Sequence, residues 1–562
     1  MVFEVNSPVN AGQIVVDALE REGVEKIFCT PGSHVMQFYA ALREAPAIKL
    51  ITCKQEPNTS LMADAYARIT GKPGVCMVTA GPGAANSIAG IGQAYGAASP
   101  VVHISGTIPV NAEKEAFHGV DDPAFVAKMF EGVTKWSVKV ERIEDLSEIM
   151  AKAFHIGQSG RPGPVHVEVP RATDQSPYML QKDPIPLPTY QPLPIEPSPI
   201  DDKKIEEIAE KLLAATFPVI CAGKGVIRKN AASELIEIAE QLSIPVFYPQ
   251  DSMGILPFES DLALGHFYWK KYWPLIEEFM PECDLLLSVG IRAGTAEMRD
   301  ISRVAPKQHI LIGFDDPGTQ SQSDADQSVM DPKLFLAALK KCVKNESRPT
   351  NSQLRQKIAS RKAEIQQHIN AQTDVHKNTA PIHPGYLMKA LAECVKPDTI
   401  ISSDVGNCQI FARYYLPLHN DLSFMQSGVW NAMSFGLPTA IVAKLEHPER
   451  DVIGLSGDGA FMMTMGDFIT AVELKANIVM VVLNDGAFGQ MIPQQTTNYG
   501  SAYECEFLSP NFAEFAHACG ALGIRVEDPN EINNAVQTAL KAGVPAIVEV
   551  MTDKKYTLPT YQ

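Results

Sequence analysis

The tripeptide Gly457-Asp458-Gly459 is followed by twenty-four residues and then by Asn484-Asp485-Gly486. Asp458 comes just after the apolar run Val452–Leu455, and Asn484 just after Ile478–Leu483, both with the composition of buried strands. In a parallel sheet the two side chains leave the C-terminal edge, where such folds bind ligands. A carboxylate oxygen, an amide oxygen and a nearby backbone carbonyl suit a small hard cation. Mg²⁺ prefers six oxygens at about 2.1 Å and usually completes its shell with phosphates and water. Glycine on either side lets the backbone approach those phosphates. Either tripeptide alone reads as a plain turn; the spacing and the strand context favour the ligand site.

A second signature is Glu56, ten residues before Tyr66 in EPNTSLMADAYARITGKPGV. Alone, a glutamate at a helix start is a favourable partner for the helix dipole. Together the two segments resemble the thiamine-diphosphate (ThDP) enzymes, especially the acetolactate synthase/benzoylformate decarboxylase group, and the likeness runs over nearly the whole chain. It implies that Asp458 and Asn484 are Mg²⁺ side-chain ligands, that Gly486 is the carbonyl ligand, and that Glu56 is the catalytic glutamate. Such a carboxyl, hydrogen-bonded to pyrimidine N1′, drives the aminopyrimidine to the imino tautomer that deprotonates the thiazolium carbon. Pro57 stands where relatives have Gln.

Asp404–Gln409 (DVGNCQ) resembles the family's first diphosphate loop, DVGQHQ, with Cys408 in place of His. The cofactor contacts so implied are Gly406, Asn407, Cys408, Gly457, Gly459, Ala460, Ala487 and Phe488. Ser427–Pro438 (SGVWNAMSFGLP) resembles SGGLGTMGFGLP. In it Met433 takes the place of the wedge that bends ThDP, and the carbonyl of Asn431 that of the contact to the pyrimidine amino group. Thr79-Ala80-Gly81-Pro82-Gly83 resembles the TSGPG turn, and Thr30–His34 a PGS loop. Candidate substrate contacts are Ser33, His34, Thr79, Phe117, His118 and Gln490. A lone histidine is more often structural, so His34 and His118 are each weighed evenly between a structural role and a substrate contact.

The elements that position these residues are legible as alternating short apolar runs and amphipathic helices, the doubly wound α/β pattern. We expect an α/β chain of three consecutive doubly wound, Rossmann-like domains with mainly parallel sheets. The expected pieces are 1–185 (pyrimidine-binding, with Glu56), 186–345 (central) and 346–562 (diphosphate- and Mg²⁺-binding). Asp183–Ile200, with seven prolines in eighteen residues, is a semi-rigid crossing between the first two. The central Gly223-Lys224-Gly225 lacks the third glycine of a dinucleotide fingerprint. In relatives this domain holds FAD, ADP or nothing, and we expect no FAD.

Length and composition agree. A chain of 562 residues exceeds one core. Its net charge of −17 argues against nucleic acid or an anionic membrane as partner. Ten cysteines without a C-x-x-C pair read as reduced thiols, and neither a signal segment nor a membrane-length apolar run is visible, so a cytoplasmic enzyme is expected. The resemblance implies decarboxylation of a small 2-oxo acid, pyruvate first, with carboligation as in acetolactate synthase, by a homodimer or homotetramer. The alternatives are a simple 2-oxo acid decarboxylase and a 2-hydroxyacyl-CoA lyase or oxalyl-CoA decarboxylase. From other classes, a nucleotide-binding oxidoreductase is disfavoured by the broken glycine fingerprint. A silent ThDP-fold binding protein is disfavoured by the presence of Glu56, Asp458 and Asn484.

Overall fold

A computed structural model describes residues 8–107, 118–122, 124–169, 185–195, 200–257, 259–266, 273–292, 296–313, 325–348, 351–420, 422–556 and 558. Among them the strands form three six-stranded sheets and one two-stranded ribbon that pairs Pro8–Val9 with Ile185–Pro186. Every neighbouring pair within the large sheets is parallel.

Across the first sheet lie Lys49–Thr52, Lys26–Cys29, Gly74–Val78, Val101–Gly106, Val165–Val169 and Trp136–Lys139. Numbered in chain order within the sheet, that is 2-1-3-4-6-5. The last sheet repeats this order with Met425–Gln426, Ile400–Ser403, Val452–Gly457, Val479–Asn484, Ala546–Met551 and Leu522–Val526. Between them in sequence, the central sheet runs Ala263–His266, Val246–Tyr248, Pro218–Ala222, Leu285–Val289, Gln308–Gly313 and Asp326–Val329. Its order, 3-2-1-4-5-6, is that of the dinucleotide-binding fold.

The inner strands are fully buried, as in Gly74–Val78, Pro218–Ala222 and Leu285–Val289, because crossover helices cover both faces of a parallel sheet. The chain forms two compact units. One gathers Met1–Glu196 with Ser427–Pro448 and Met462–Ala476, so helix Gly436–Glu446 packs on helix Glu56–Thr70. The other holds the central and last sheets, which share one continuous apolar core with Leu354, Ile358, Ile365 and Ile369 of helix Ser352–Asp374. That helix matches the helical composition of Gln353–Ile369, and its polar flanks face outward. All ten cysteines are free thiols, eight of them buried. Among the described residues, no helix is long and apolar enough to cross a membrane.

In both outer sheets the winding reverses between strands 1 and 3, and a ligand crevice forms outside such a reversal. The Thr30–His34 and Thr79–Gly83 loops leave the first sheet there. Asp404 and Asp458 leave the last sheet at the equivalent place.

Candidate active site

In the last sheet the strands deliver a built acidic centre. Asp458 is buried, its Oδ1 accepting from Gly459 N at 2.8 Å and its Oδ2 from Gly486 N at 2.8 Å and Ser509 Oγ at 2.6 Å. Burial pushes its carboxyl above the ordinary range against those hydrogen bonds. Asp485 is pushed up to about 7, first by burial and then by the charge of Asp458. Two carboxylates this close, Asp458 buried and Asp485 half-buried, repel each other, and a divalent cation would relieve that repulsion. Asn484 donates Nδ2 to Glu549 Oε1 at 2.7 Å, and this turns the amide oxygen away from Glu549. Glu549, wholly buried, also accepts from Arg525 Nη1 at 3.2 Å and from Ala513 N at 3.2 Å. Gly486, at φ +65°, accepts from Phe507 N at 2.9 Å and keeps its second lone pair. A carboxylate, an oriented amide oxygen and a carbonyl therefore fit an oxygen-seeking Mg²⁺.

The space beside these loops fits a diphosphate. A Cβ built on Gly406, at φ +138°, or on Gly457 would meet nothing within 4 Å, so both backbones border open volume. Asp404 is buried and accepts from Ser456 Oγ at 2.5 Å, which ties the first loop to the strand before Asp458. Asn407 opens helix Asn407–Tyr415. Cys408 is wholly buried, and its thiol donates to Asp404 O at 3.3 Å, so it braces the loop from behind and presents no donor outward. Ala460 and Ala487 are buried. Phe488 is 40% exposed, its ring 4.9 Å from Phe507, and both rings crowd Gly459 so that a Cβ there would lie 2.8 Å from Phe488. Gln490 is half-buried at the start of helix Met491–Tyr499.

The first sheet carries a second group. Glu56 is the first residue of helix Glu56–Thr70, half-buried, and its Oε2 accepts from Asn86 Nδ2 at 3.2 Å. Pro57 sits in the helix's first turn, where its missing N–H costs nothing. Gly81, at φ +60°, makes the sharp turn into helix Pro82–Ala97. A Cβ on Gly83 would come within 2.7 Å of Thr79 Cγ2 and 3.5 Å of Glu56 Oε1, so Thr79 and Glu56 flank one glycine. Thr79 Oγ1 lies 3.2 Å from His34 Nδ1, which also meets Ser33 Oγ at 3.1 Å. His118, at φ +65°, meets Ala80 O through Nδ1 at 3.2 Å, and its ring lies 4.7 Å from that of His34. Thus Ser33, His34, Thr79 and His118 are brought together; Phe117 lies outside the described residues.

Asp467, wholly buried, anchors the start of that helix. Its Oδ1 accepts from Lys54 N at 2.7 Å and Thr470 Oγ1 at 2.8 Å, and its Oδ2 accepts from Asn58 Nδ2. Ser427–Ala432 docks on helix Pro82–Ala97 through Ser427 Oγ to Gln93 Oε1 at 2.6 Å. Asn431 takes left-handed backbone at φ +59°, which asparagine tolerates; Met433 is half-buried. Sequence reasoning missed Asp467 and Glu549. The signal for Glu549 is a lone charge within the apolar strand Ala546–Met551; Asp467 leaves none.

In the central sheet, Lys224 is buried, its Nζ 2.8 Å from Asp251 Oδ2. A Cβ on Gly223 would lie 2.5 Å from Gly290 O, so this glycine serves close packing of neighbouring strand ends.

Models of known families match three stretches of the chain, one in each of the three sheet regions. Residues 9–125 match the thiamine pyrophosphate enzyme N-terminal TPP-binding domain, 205–339 its central domain and 404–550 its C-terminal TPP-binding domain. The chain belongs to the thiamine pyrophosphate enzyme family, and thiamine diphosphate is its cofactor. Within that family it is similar over nearly its whole length to acetolactate synthases. It is 30% identical to the "Probable acetolactate synthase large subunit" of Methanococcus aeolicus, over 98% of this chain and 93% of that one. It is 29% identical to the acetolactate synthase large subunit of Haemophilus influenzae, over 94% and 92%. With the chloroplastic acetolactate synthase of Arabidopsis thaliana the identity is 28%, over 99% and 83%.

Proposed function

We propose that the chain is a ThDP- and Mg²⁺-dependent carboligase that decarboxylates pyruvate and joins the two-carbon unit to a second 2-oxo acid. The observation that carries the reading is the fixed amide of Asn484. With its donor end on Glu549, its oxygen is left for a cation held jointly with Asp458 and the Gly486 carbonyl. Bound thiamine diphosphate supplies the electron sink for loss of CO2. By the resemblance, Glu56 would hold the proton at pyrimidine N1′, Met433 would wedge the cofactor, and the 404–408 and 457–460 loops would take the diphosphate. By side-chain type, the pocket residues that the resemblance implies, Thr79, Met433, Phe117, Gln490 and Met491, are weak acids or none. Slow proton delivery there gives a second carbonyl compound time to capture the two-carbon unit.

A second reading is a simple decarboxylase, favoured by the contiguous His34 and His118 rings, whose imidazoles would deliver that proton. Incubation with pyruvate, ThDP and Mg²⁺, with acetolactate and acetaldehyde quantified, separates the two. Acetolactate as the main product supports carboligation; acetaldehyde alone moves the assignment to the decarboxylase. No turnover of pyruvate, with activity on an acyl-CoA, moves it to the lyase branch. The central domain carries no tightly held FAD, because Lys224 and Asp251 neutralise each other in the turn where a dinucleotide's phosphates would lie; stoichiometric flavin absorption would refute this. The active species is a cytoplasmic homodimer or homotetramer, and an active monomer in sedimentation would refute it.

A further inference from the structure

After strand Ala546–Met551 the chain does not leave the last sheet's C-terminal edge. Thr552 N donates to Asn484 O at 2.9 Å, and Asp553 N to Ile382 O at 2.9 Å. Lys554 reaches Glu506 at 2.5 Å, and Asp553 Oδ1 accepts from Lys555 N at 2.8 Å to bend the segment back. Tyr556 is thereby laid across the two loops assigned to diphosphate and metal. Its ring packs edge-on against buried Phe411, centroids 5.2 Å apart. Its hydroxyl lies 2.5 Å from Asn407 Oδ1 and 3.4 Å from Gly489 O.

A hydroxyl has one proton, and the shorter contact places it on the Asn407 oxygen. The amide is then held with its donor end elsewhere, and Asn407 Nδ2 comes within 2.8 Å of where a Cβ on Gly489 would stand. Asp485 Oδ2 is 2.3 Å from the same point. Gly489 is thus where the 404–408 loop and the 484–490 loop close on each other, and only glycine fits. An amide beside an anion helps only if it presents N–H; turned over, it would set its oxygen against phosphate oxygens. A donor fixed on Oδ1 removes the wrong orientation in advance.

We propose that Tyr556 is a positioning residue for the diphosphate end of the cofactor site, acting through the Asn407 amide and clasping the two loops together. The inference rests on the reading of residues 404–408 as a diphosphate loop. Tyr556→Phe keeps the ring on Phe411 and removes only the hydroxyl. ThDP binding to cofactor-free protein at saturating Mg²⁺, followed by calorimetry, should weaken about fivefold to tenfold, the scale of one hydrogen bond. The melting point of the cofactor-free protein should stay unchanged. In an Asn407→Ala background the same substitution should have no further effect, because the two act as one unit. Unchanged ThDP affinity in Tyr556→Phe, with normal wild-type binding, overturns the clasp alone. Equal losses in both backgrounds, or a fall in the cofactor-free melting point that accounts for the weaker binding, also overturn it. A wild-type protein without ThDP affinity overturns the underlying function reading, and the clasp with it.

Discussion

Replacement of Asp467 tests whether Glu56, the proposed catalytic glutamate, is aimed from outside its own helix. Three donors converge on this buried carboxylate: Lys54 N, Asn58 Nδ2 and Thr470 Oγ1. Two of them belong to residues that bracket Glu56 by two positions on either side. In Asp467→Ala the Thr470 hydroxyl keeps a partner in Thr52 O at 3.4 Å, whereas the Lys54 amide and the Asn58 side chain lose theirs. At about 1–3 kcal/mol per orphaned donor, the loss is about 2–6 kcal/mol. For a unit of this size that lowers the melting point by about 10 °C. A helix start that shifts by about 1 Å displaces the Glu56 carboxyl enough to cost about a hundredfold in kcat. Asp467→Asn should be far milder. Asn58 Oδ1 is buried without a partner, so a turned Asn58 amide can accept from the new Nδ2, while the remaining oxygen serves Lys54 and Thr470. That variant loses the charge alone, about 1 kcal/mol. Scanning calorimetry and turnover at saturating ThDP measure both. Asp467→Ala with a wild-type melting point and kcat within threefold would refute the reasoning.

Glu56→Gln should leave ThDP affinity nearly intact and lower turnover by at least about a hundredfold, since Gln hydrogen-bonds N1′ without supplying a proton; near-wild-type turnover would remove Glu56 from its role. Asp458→Ala should abolish Mg²⁺-dependent ThDP retention, and calorimetry with and without EDTA that finds undiminished binding would place the metal elsewhere. Glu168, wholly buried beside Thr107 and pushed up to about 7 by burial, keeps a proton in the native state that the unfolded chain releases above its ordinary value of 4.5. Stability should therefore fall as pH rises from about 4.5 to 7, by about 3 kcal/mol in all. Glu168→Gln should flatten that limb of a urea-denaturation series, and an unchanged slope would assign it to other groups.

What the sequence disclosed follows burial. Inner strands such as Val452–Gly457 and Val479–Asn484 are mostly apolar and buried, and they end where the candidate metal-binding residues begin, so the fold class was legible and the candidate loop stood out. Four edge strands were not legible: Lys49–Thr52, Trp136–Lys139, Asp326–Val329 and Leu522–Val526 are only partly buried, and their mixed composition resembles loops. Met425–Gln426 is too short to show a pattern. Residues that orient others were hidden for a different reason. Asp467 acts on a segment more than four hundred residues earlier, and Tyr556 on Asn407 across 149. A single sequence records what a residue is but not which distant donor it answers. Cys408 shows the converse, since a motif position can survive in register while its side chain turns inward.

The shared strand order of the outer sheets explains why the two groups of functional residues match loop for loop. Strand 1 of the first sheet feeds Thr30–His34, and strand 1 of the last feeds Asp404–Cys408. Strand 2 feeds Glu56 in one and Ser427–Met433 in the other. After strand 3 come Thr79–Gly83 and Asp458–Gly459; after strand 4, the segment ending in His118 and the Asn484–Gln490 loop. One topology sends the chain out of the same edge of each sheet after strands 1 to 4, and the residues that follow differ. The first set offers a carboxyl, hydroxyls and imidazoles, which would suit the nitrogens of a pyrimidine. The second offers carboxylates, amides and open glycine backbone, suited to a metal and its phosphates. No repeat is visible along the chain because the parallel sheet constrains only burial and strand order, and apolar residues exchange freely under those constraints. The likeness survives in the order of the strands, and the division of labour lies in the loops.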